Sequence, residues 1–311
     1  MDEKRLGGLY GLLIGDALGV PYEFKAANEI PEFDHIDMIP PKGYPRTYPQ
    51  VSVGTWSDDG AQALCLLSSL IEKGHLDIND LASKLSDWML DGYMTPDDER
   101  FDIGIQTRAA LMSFCSGTPA DKSGQVNPQG QGNGSLMRTL PLALWHKGTD
   151  KELALDAHAQ SLPTHGHVVN QVCCAVYCLT ARRLIEGMEI RAAVDDAVNT
   201  LKGIYSQLDE EYEKRLLKLK LEEDFYGEGT GYVVDCLKSA FMILTKAESY
   251  EQAVKLAVAL GSDTDTTACV AGGLAGIKFG FYGIPERWLS LLRGKQLIES
   301  IISRWQNTHL H

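Results

Sequence analysis

Two groups of carboxylate and hydroxyl side chains lie near opposite ends of this sequence, each directly before an apolar, helix-forming segment. The first group lies in GTWSDDGAQALCLLSSL and the second in ALGSDTDTTACVAGGLAGI. The carboxylates are Asp58, Asp59, Asp263 and Asp265, and the flanking hydroxyls are Ser57, Thr264, Thr266 and Thr267. Such residues cap the free N–H groups of a helix start, but one capping residue per helix is enough. The surplus of carboxylates therefore needs a second explanation.

A divalent cation would supply that explanation. Four converging carboxylates without a counterion are strongly unfavourable. Mg²⁺ and Mn²⁺ remove the penalty, since they bind carboxylate, hydroxyl and water oxygens. Neither motif contains a pair of cysteines or histidines at the spacing of a zinc site. Spacing alone leaves two interpretations open, which are a metal site and two unrelated helix caps.

The second motif also has a competing interpretation. The segment from Asp263 to Thr267 fits the D-x-D-x-T signature of haloacid-dehalogenase-like phosphatases, in which the first aspartate is a phosphorylated nucleophile. That fold needs a strand before the motif and a long α/β sheet after it. The residues that follow Asp265 are few and have helical periodicity, so the phosphatase interpretation is disfavoured.

The segments that must position these residues are helical. Apolar residues recur at three and four positions, and alternating strand patterns are scarce. We predict an all-α orthogonal multi-helix bundle of about a dozen helices, forming one compact domain over residues 1–311. The predicted helices span residues 6–19, 58–74, 79–90, 102–115, 134–146, 151–162, 167–186, 191–205, 208–219, 232–245, 250–259, 265–279 and 294–305. Three irregular stretches, 25–56, 117–132 and 222–231, are candidates for binding loops or simple surface connections.

Composition excludes several classes of protein. The net charge of −13 argues against nucleic acid as the main partner, because the chain repels a phosphate backbone in bulk. The seven cysteines are scattered without a C-x-x-C pair, which favours free thiols and a reducing, cytoplasmic location. Asp16 interrupts the first apolar run, so we expect no signal peptide. The apolar run 268–280 is too short for a bilayer, so we expect no membrane partner.

Six motifs, in order along nearly the whole chain, carry a family resemblance. They are GLLIGDALGVPYEF, GTWSDDGAQALCLLSSL, GNGSLMRTLPLAL, THGH, GTGYVVDCLKSA and GSDTDTTACVAGGLAGI. In these segments the chain resembles the ADP-ribosylglycohydrolases, a family that includes ADP-ribosyl-[dinitrogen reductase] hydrolase and the hydrolases of ADP-ribosylated arginine and serine. The resemblance implies an all-α orthogonal bundle with a dinuclear Mg²⁺ or Mn²⁺ centre.

The resemblance also implies roles for individual residues. The metal ligands would be Ser57, Asp58, Asp59, Asp263, Asp265 and Thr266. The early acidic residue near the metal centre, on a loop that can open and close, would be Glu23. The segment that holds ADP-ribose would be Gly132, Asn133 and Gly134, followed by Ser135, and the pair near the distal ribose would be Thr164 and His165. The chain departs from the family where Ser57 replaces a frequent threonine and Gly60 replaces a frequent threonine or serine.

Further residues have alternative interpretations. Tyr232, Phe114 and Trp56 are candidates to stack on adenine, with core packing as the alternative. The glycines 132 and 134 would let a phosphate approach backbone amides at a helix start, or would simply form a turn. Gly272, Gly276 and Gly280 lie four apart and predict close helix packing.

The implied reaction is hydrolysis of the bond between the distal ribose and its acceptor atom. Two cations would activate water, and a carboxylate would accept its proton. The candidates for that carboxylate are Glu23, Asp58, Asp59 and Asp263. The expected partner is an ADP-ribosylated protein, with arginine as the first acceptor, or a small ADP-ribosyl compound. Serine, acidic residues and nucleic-acid ends remain open as acceptors, as do a catalytically silent ADP-ribose-binding or structural protein and a metal-dependent phosphatase.

Overall fold

The computed structural model describes residues 2–307, and within that range it contains fifteen α-helices, four short 3₁₀ helices and no β-strand. The α-helices are α1 (Glu3–Gly19), α2 (Asp58–Lys73), α3 (Ile78–Asp91), α4 (Ile105–Cys115), α5 (Ala120–Ser123), α6 (Leu140–Trp145), α7 (Asp150–Ser161), α8 (Val168–Ile185), α9 (Ile190–Tyr205), α10 (Glu210–Lys218), α11 (Val233–Lys246), α12 (Tyr250–Ala259), α13 (Thr264–Phe279), α14 (Glu286–Leu291) and α15 (Lys295–Asn307). The predicted all-α fold class is confirmed.

The closest helix pair joins the two ends of the chain. Helices α1 and α13 run antiparallel, with glycines of one helix against the backbone of the other. A Cβ atom at Gly15 would overlap the carbonyl oxygen of Ala268, and one at Gly276 would overlap that of Gly7. Only glycine allows backbones to approach so closely. As a result, the C-terminal end of α1 meets the N-terminal end of α13, where the Thr264 hydroxyl donates to the carbonyl of Gly19 at 2.9 Å.

The predicted packing role of the α13 glycines is confirmed for two of the three. Gly272 lies against Gly11, and Gly276 lies against Gly7. Gly280 was wrongly placed on the same helix face, because α13 ends at Phe279 and Gly280 has a φ of +74°. At that position the chain leaves the helix in a conformation that favours glycine.

Helix α8 lies in the middle of the apolar core. It is the one helix within residues 2–307 that is long and apolar enough to cross a membrane, and 83% of it is buried inside the protein. Its apolar side chains pack against α7, α9 and α11. The length and hydropathy of α8 are therefore those of a core helix. All seven cysteines are unpaired, as predicted, and only Cys115 is exposed.

Several predicted helix boundaries were wrong. The helix predicted from residue 102 begins at Ile105, because Asp102 has a φ of +55°. The helix predicted over 134–146 is only α6, and residues 134–139 form turns before Pro141. The helix predicted from residue 79 begins at Ile78, because the carboxylate of Asp77 caps α3. Helices α5 and α14 were not predicted, since one or two turns carry too few residues to show a helical period.

Candidate metal centre and ligand cleft

The first acidic pair is held by a carboxylate from α1. Ser57 is the N-cap of α2, and Asp58 and Asp59 form its first turn. The carboxylate of Asp16 accepts hydrogen bonds from the backbone N–H of Ser57 at 2.9 Å and from that of Gly60 at 2.7 Å. Burial raises the pKa of Asp16 to about 7, although these hydrogen bonds oppose the shift. Sequence reasoning missed this role, because Asp16 lies alone within an apolar helix.

The second acidic pair begins α13. Asp263 is its N-cap, and its backbone N–H donates to the carbonyl of Gly229 at 3.1 Å. The Asn133 amide donates to the Asp263 carboxylate at 2.9 Å. Asp265 lies in the first helical turn and is fully buried. This half of the site is therefore joined to the segment that was predicted to bind ADP-ribose.

The structure brings the two pairs together, with Glu23 beside them. Glu23, Asp263 and Asp265 each place a carboxylate oxygen within 4.8 Å of the other two. The Thr266 hydroxyl lies 3.4 Å from a carboxylate oxygen of Asp59. Ser57 reaches the same oxygen at 3.2 Å. The predicted ligands from residues 57–59 and 263–266 thus face one another across the start of two helices.

The charge balance of this cluster favours the binding of cations. Burial is the main cause that raises the pKa of Glu23 to about 10, with repulsion from neighbouring carboxylates second. The same two causes raise the pKa values of Asp58, Asp59 and Asp265 well above their usual range. Three buried carboxylate oxygens, one each on Glu23, Asp59 and Asp265, have no hydrogen-bond donor within the described residues. Buried acceptors without partners are costly, and hard divalent cations prefer such oxygens. The donor set therefore fits Mg²⁺ or Mn²⁺.

A further carboxylate, Asp102, faces the same place. It lines the cleft with Glu23 and Asp263, and it accepts a hydrogen bond from the Tyr48 hydroxyl at 2.8 Å. Burial raises its pKa, and the Asp263 carboxylate adds to the shift. Sequence reasoning placed Asp102 at a helix start, so its role was missed. An isolated acidic residue in a loop gave no signal that could have identified it.

The cleft beside the carboxylates has a volume of about 270 Å³. Its lining includes Gly132, Asn133, Gly134, His165, Asp58, Asp263 and Thr266. A Cβ atom at Gly134 would lie 2.7 Å from the His165 ring, so this position needs glycine. The helix start that was predicted here was wrong, because α6 begins only at Leu140. The glycines lie instead in a turn that pairs with Tyr232 through an isolated β-bridge.

A chain of buried side chains joins the carboxylates to His165. Gln62 donates to Asp58 at 3.1 Å and accepts from Arg138 at 3.0 Å. Arg138 also donates to the Thr164 hydroxyl at 2.8 Å, and that hydroxyl lies 2.8 Å from Nδ1 of His165. Burial, with a smaller contribution from Arg138, lowers the pKa of His165 to about 3, so the imidazole is neutral.

Three predicted substrate contacts, Ser135, Thr164 and Tyr232, lie outside the lining of this cleft. Ser135 is fully buried, and its hydroxyl accepts from Ser161 at 2.8 Å. Tyr232 is 46% exposed and precedes α11 at its N-cap. Trp56 is a core residue, with its indole N–H donating to the carbonyl of Met94 at 3.0 Å, which agrees with the alternative interpretation. Phe114 is half-buried near the end of α4.

A larger cavity, of about 790 Å³, lies at the other end of α2. Its lining includes Ile71, His75 and Trp145. A helix of sixteen residues is about 24 Å long, so this cavity is remote from the carboxylates at the start of α2. Because the smaller cleft adjoins the carboxylate oxygens that lack a donor within residues 2–307, it is the better candidate for the chemistry.

Comparisons with known proteins agree with this geometry. The sequence model of the ADP-ribosylglycohydrolase family matches residues 1–310. The "ADP-ribosylarginine hydrolase Tri1" of Serratia proteamaculans is 29% identical over 301 residues, which cover 96% of this chain and 78% of that protein. The "ADP-ribosyl-[dinitrogen reductase] glycohydrolase" of Rhodospirillum rubrum is 28% identical over 294 residues, covering 94% and 91%. A solved structure titled "ADP-ribosylglycohydrolase-related protein complex" matches with a TM-score of 0.76 and 27% identity, over 98% of both chains.

Proposed function

The chain belongs to the ADP-ribosylglycohydrolase family, and from this premise we propose that it is a dinuclear Mg²⁺- or Mn²⁺-dependent hydrolase of ADP-ribosylated arginine on a protein. The observation that carries the proposal is the meeting of buried carboxylates from both ends of the chain, with oxygens that lack donors within residues 2–307. Two relatives support the acceptor class, since one is named for ADP-ribosylarginine and the other for ADP-ribosylated dinitrogen reductase.

The residues that would hold the cations are the six predicted ligands. They are Ser57, Asp58, Asp59, Asp263, Asp265 and Thr266, with Glu23 adjacent. Bound there, Mg²⁺ or Mn²⁺ supplies Lewis-acid chemistry that lowers the pKa of water and neutralises the carboxylates. Asp16 keeps this set in place, because it fixes the backbone of Ser57 and Gly60.

Two carboxyl groups at the cleft are suited to move protons. In the proposed reaction, the oxygen of water bonds to the anomeric carbon while the bond from that carbon to the acceptor nitrogen breaks. Glu23 is buried, lines the cleft and has an oxygen without a donor among the described residues. Divalent cations beside it would keep this carboxylate ionised, so it would accept the proton of the water. Asp102 lines the same cleft, where a protonated carboxyl group would donate to the leaving nitrogen.

The remainder of the cleft is suited to the ADP-ribosyl part. Gly132 and Gly134 allow a ligand to approach the backbone closely, and His165 is held neutral beside them. Glu23, Asp58 and Asp263 give the metal end an acidic character, which favours a cationic guanidinium as the acceptor. These features support arginine over serine as the modified residue.

The decisive test is a hydrolysis panel followed by mass spectrometry. Purified protein is incubated with defined ADP-ribosylated arginine, serine and glutamate substrates, with Mg²⁺, with Mn²⁺ or with chelator. We expect release of free ADP-ribose from arginine substrates only, reversible loss of turnover with chelator, and a drop of about a hundredfold or more for Asp265→Asn because a metal ligand is lost.

Asp91→Asn is the matched control for that experiment. Asp91 is exposed at the end of α3 and is not among the residues that line the cleft, so this variant should keep its turnover. Full activity of Asp265→Asn in chelator would reject the proposal. Tight binding of ADP-ribose without release of any acceptor would indicate a silent binding protein, and release of phosphate would indicate a phosphatase.

A further inference from the structure

Large apolar side chains are exposed at the edge of the ligand cleft. Phe24 is 68% exposed and Ile105 is 90% exposed, and both line the cleft. Single exposed apolar residues are common on protein surfaces and need no explanation. Two of them at the opening of a polar, acidic cleft are different, because they place apolar surface where a ligand must enter or leave.

Helix α4 extends this apolar surface away from the cleft. Its inner face, formed by Thr107, Ala110 and Leu111, is buried. Its outer face carries Ile105, Arg108, Ala109 and Met112 at positions i, i+3, i+4 and i+7, and all four are exposed. Met112 is 51% exposed. The helix therefore has an apolar stripe on its outer side as well as on the side that packs into the protein.

The backbone at Phe24 adds an independent observation. Phe24 has a φ of +60°, a left-handed conformation that is unfavourable for a bulky residue. Its N–H donates to the carbonyl of Ser262 at 2.7 Å, and the N–H of Ser262 donates to the carbonyl of Lys25 at 2.6 Å. The exposed side chain gains little from packing within the protein. A strained residue that is kept next to Glu23 points to a function for its side chain.

The size of the cleft indicates where an acceptor would lie. A volume of about 270 Å³ is at the lower edge of the 300–1,000 Å³ that is usual for pockets that enclose a small ligand. The ADP-ribosyl group alone would fill it. The acceptor therefore extends past the cleft and lies against the exposed residues at its edge.

We infer that Phe24, Ile105, Ala109 and Met112 form an acceptor rim that binds the protein surface around the modified residue. This inference rests on the proposed function and names the residues that would contact the protein around the modified arginine. Met112 lies two turns from Ile105, about 10 Å along the helix, which is beyond the reach of a single amino acid at the cleft. An aromatic residue, a methionine and the neighbouring Arg108 are the residue types that are enriched in protein interfaces.

The test compares a macromolecular substrate with a small one. Steady-state kinetics are measured on folded proteins that each carry one ADP-ribosylated arginine, using the protein that the wild type hydrolyses fastest, and on free ADP-ribosylarginine. We expect Met112→Ser to lower kcat/KM for the protein about tenfold through KM, as for a typical interface contact, and to leave the free compound within about twofold. Phe24→Asn, which tolerates the left-handed backbone, and Ile105→Ser should lower the protein rate further.

Met188→Ser is the matched control, because Met188 is 39% exposed beyond the far end of α8. It should change neither rate. The inference is overturned if Met112→Ser leaves the protein rate within twofold, or if it lowers both rates equally. Metal-dependent thermal stabilisation, measured on each variant, should match the wild type. If the wild type releases ADP-ribose from neither substrate, the proposed function itself fails. If it hydrolyses both substrates and the rim substitutions do not change the rate on the protein, only the inference is rejected.

Discussion

Single buried side chains set much of the local chemistry, and His158 is an example away from the cleft. Its Nε2 lies 2.8 Å from the Tyr205 hydroxyl, and its ring stacks on Tyr212 with centroids 4.7 Å apart. Burial lowers the pKa of His158 to about 3. The folded protein thus keeps this imidazole neutral at acidic pH values where the unfolded chain protonates it.

This difference predicts a pH dependence of stability. Between pH 6.5 and about 3, the unfolded chain holds one more proton at His158 than the folded protein, so its contribution to stability falls as the pH falls. His158→Gln keeps a hydrogen-bonding group and does not titrate. We expect the free energy of unfolding of the wild type to drop, relative to His158→Gln, by about 1.4 kcal/mol per pH unit below pH 6. The free energy of unfolding of both proteins is measured by urea denaturation at each pH. The same dependence on pH in the wild type and in His158→Gln would contradict this expectation.

At the residue scale, the sequence identified the residues that occur in pairs or motifs. Asp58, Asp59, Asp263 and Asp265 could be found because capping does not explain two carboxylates at one helix start. Asp102 could not be found, since its place in the cleft depends on a left-handed backbone and on Tyr48. The roles assigned to Ser135 and Tyr232 rested on position in a motif alone. In the structure Ser135 is fully buried and Tyr232 is exposed, and neither residue lines the cleft.

At the element scale, the site depends on the contact between α1 and α13. We expect Gly15→Ala to destabilise the protein by about 3 kcal/mol or more, because its methyl group would overlap the carbonyl of Ala268 and force the helices apart. Gly203→Ala is the matched control. Gly203 lies in α9 with no atom near the added methyl group, so that variant should gain about 0.5–1 kcal/mol from helix propensity.

Thermal and chemical denaturation of both variants would measure these opposite signs. A Gly15→Ala protein as stable as the wild type would show that the helices can separate without cost. The expected loss should also appear as weaker binding of Mg²⁺, because separation of α1 from α13 moves Glu23 away from Asp265.

Helical periodicity predicted the long elements well and their ends less well. Helix α12 has the predicted bounds, because a capping serine and a regular apolar period mark it clearly. The start of α4 was misplaced by three residues, and α6 proved much shorter than predicted. In both cases, the residues directly before the helix belong to the cleft, and their tertiary contacts prevail over local helix propensity.

At the scale of the whole molecule, the buried carboxylates of the proposed cation site destabilise the fold. Buried carboxylates repel one another across the meeting point of the two chain ends, so the metal-free protein is destabilised. We expect metal-free Asp265→Asn to unfold at a higher temperature than the metal-free wild type, because one repelling carboxylate is removed. Mg²⁺ at a hundredfold excess over Kd should stabilise the wild type by about 2.7 kcal/mol and the variant far less.

Thermal denaturation with and without Mg²⁺ would check both statements, with Asp91→Asn expected to follow the wild type. Equal Mg²⁺ stabilisation of the Asp265→Asn protein would remove this aspartate from the ligand set.

The all-α class and the meeting of distant segments could be predicted from sequence, since motif order implied them. The close approach of α1 to α13 and the shape of the cleft depend on three-dimensional packing, which the spacing of residues along the sequence does not reveal.

The buried chain from Asp58 to His165 has a fixed hydrogen-bond polarity. Arginine has no acceptor form, so Arg138 must donate to both Gln62 and Thr164. The Thr164 hydroxyl accepts from Arg138 and keeps its own hydrogen to donate to Nδ1 of the neutral His165; in that tautomer the ring hydrogen lies on Nε2 at the cleft. This imidazole can offer a hydrogen to oxygen lone pairs of a ligand but cannot receive one. A compound that presents an ammonium group in place of a sugar or phosphate oxygen would place a donor against this donor, so we expect it to bind weakly even if its shape fits.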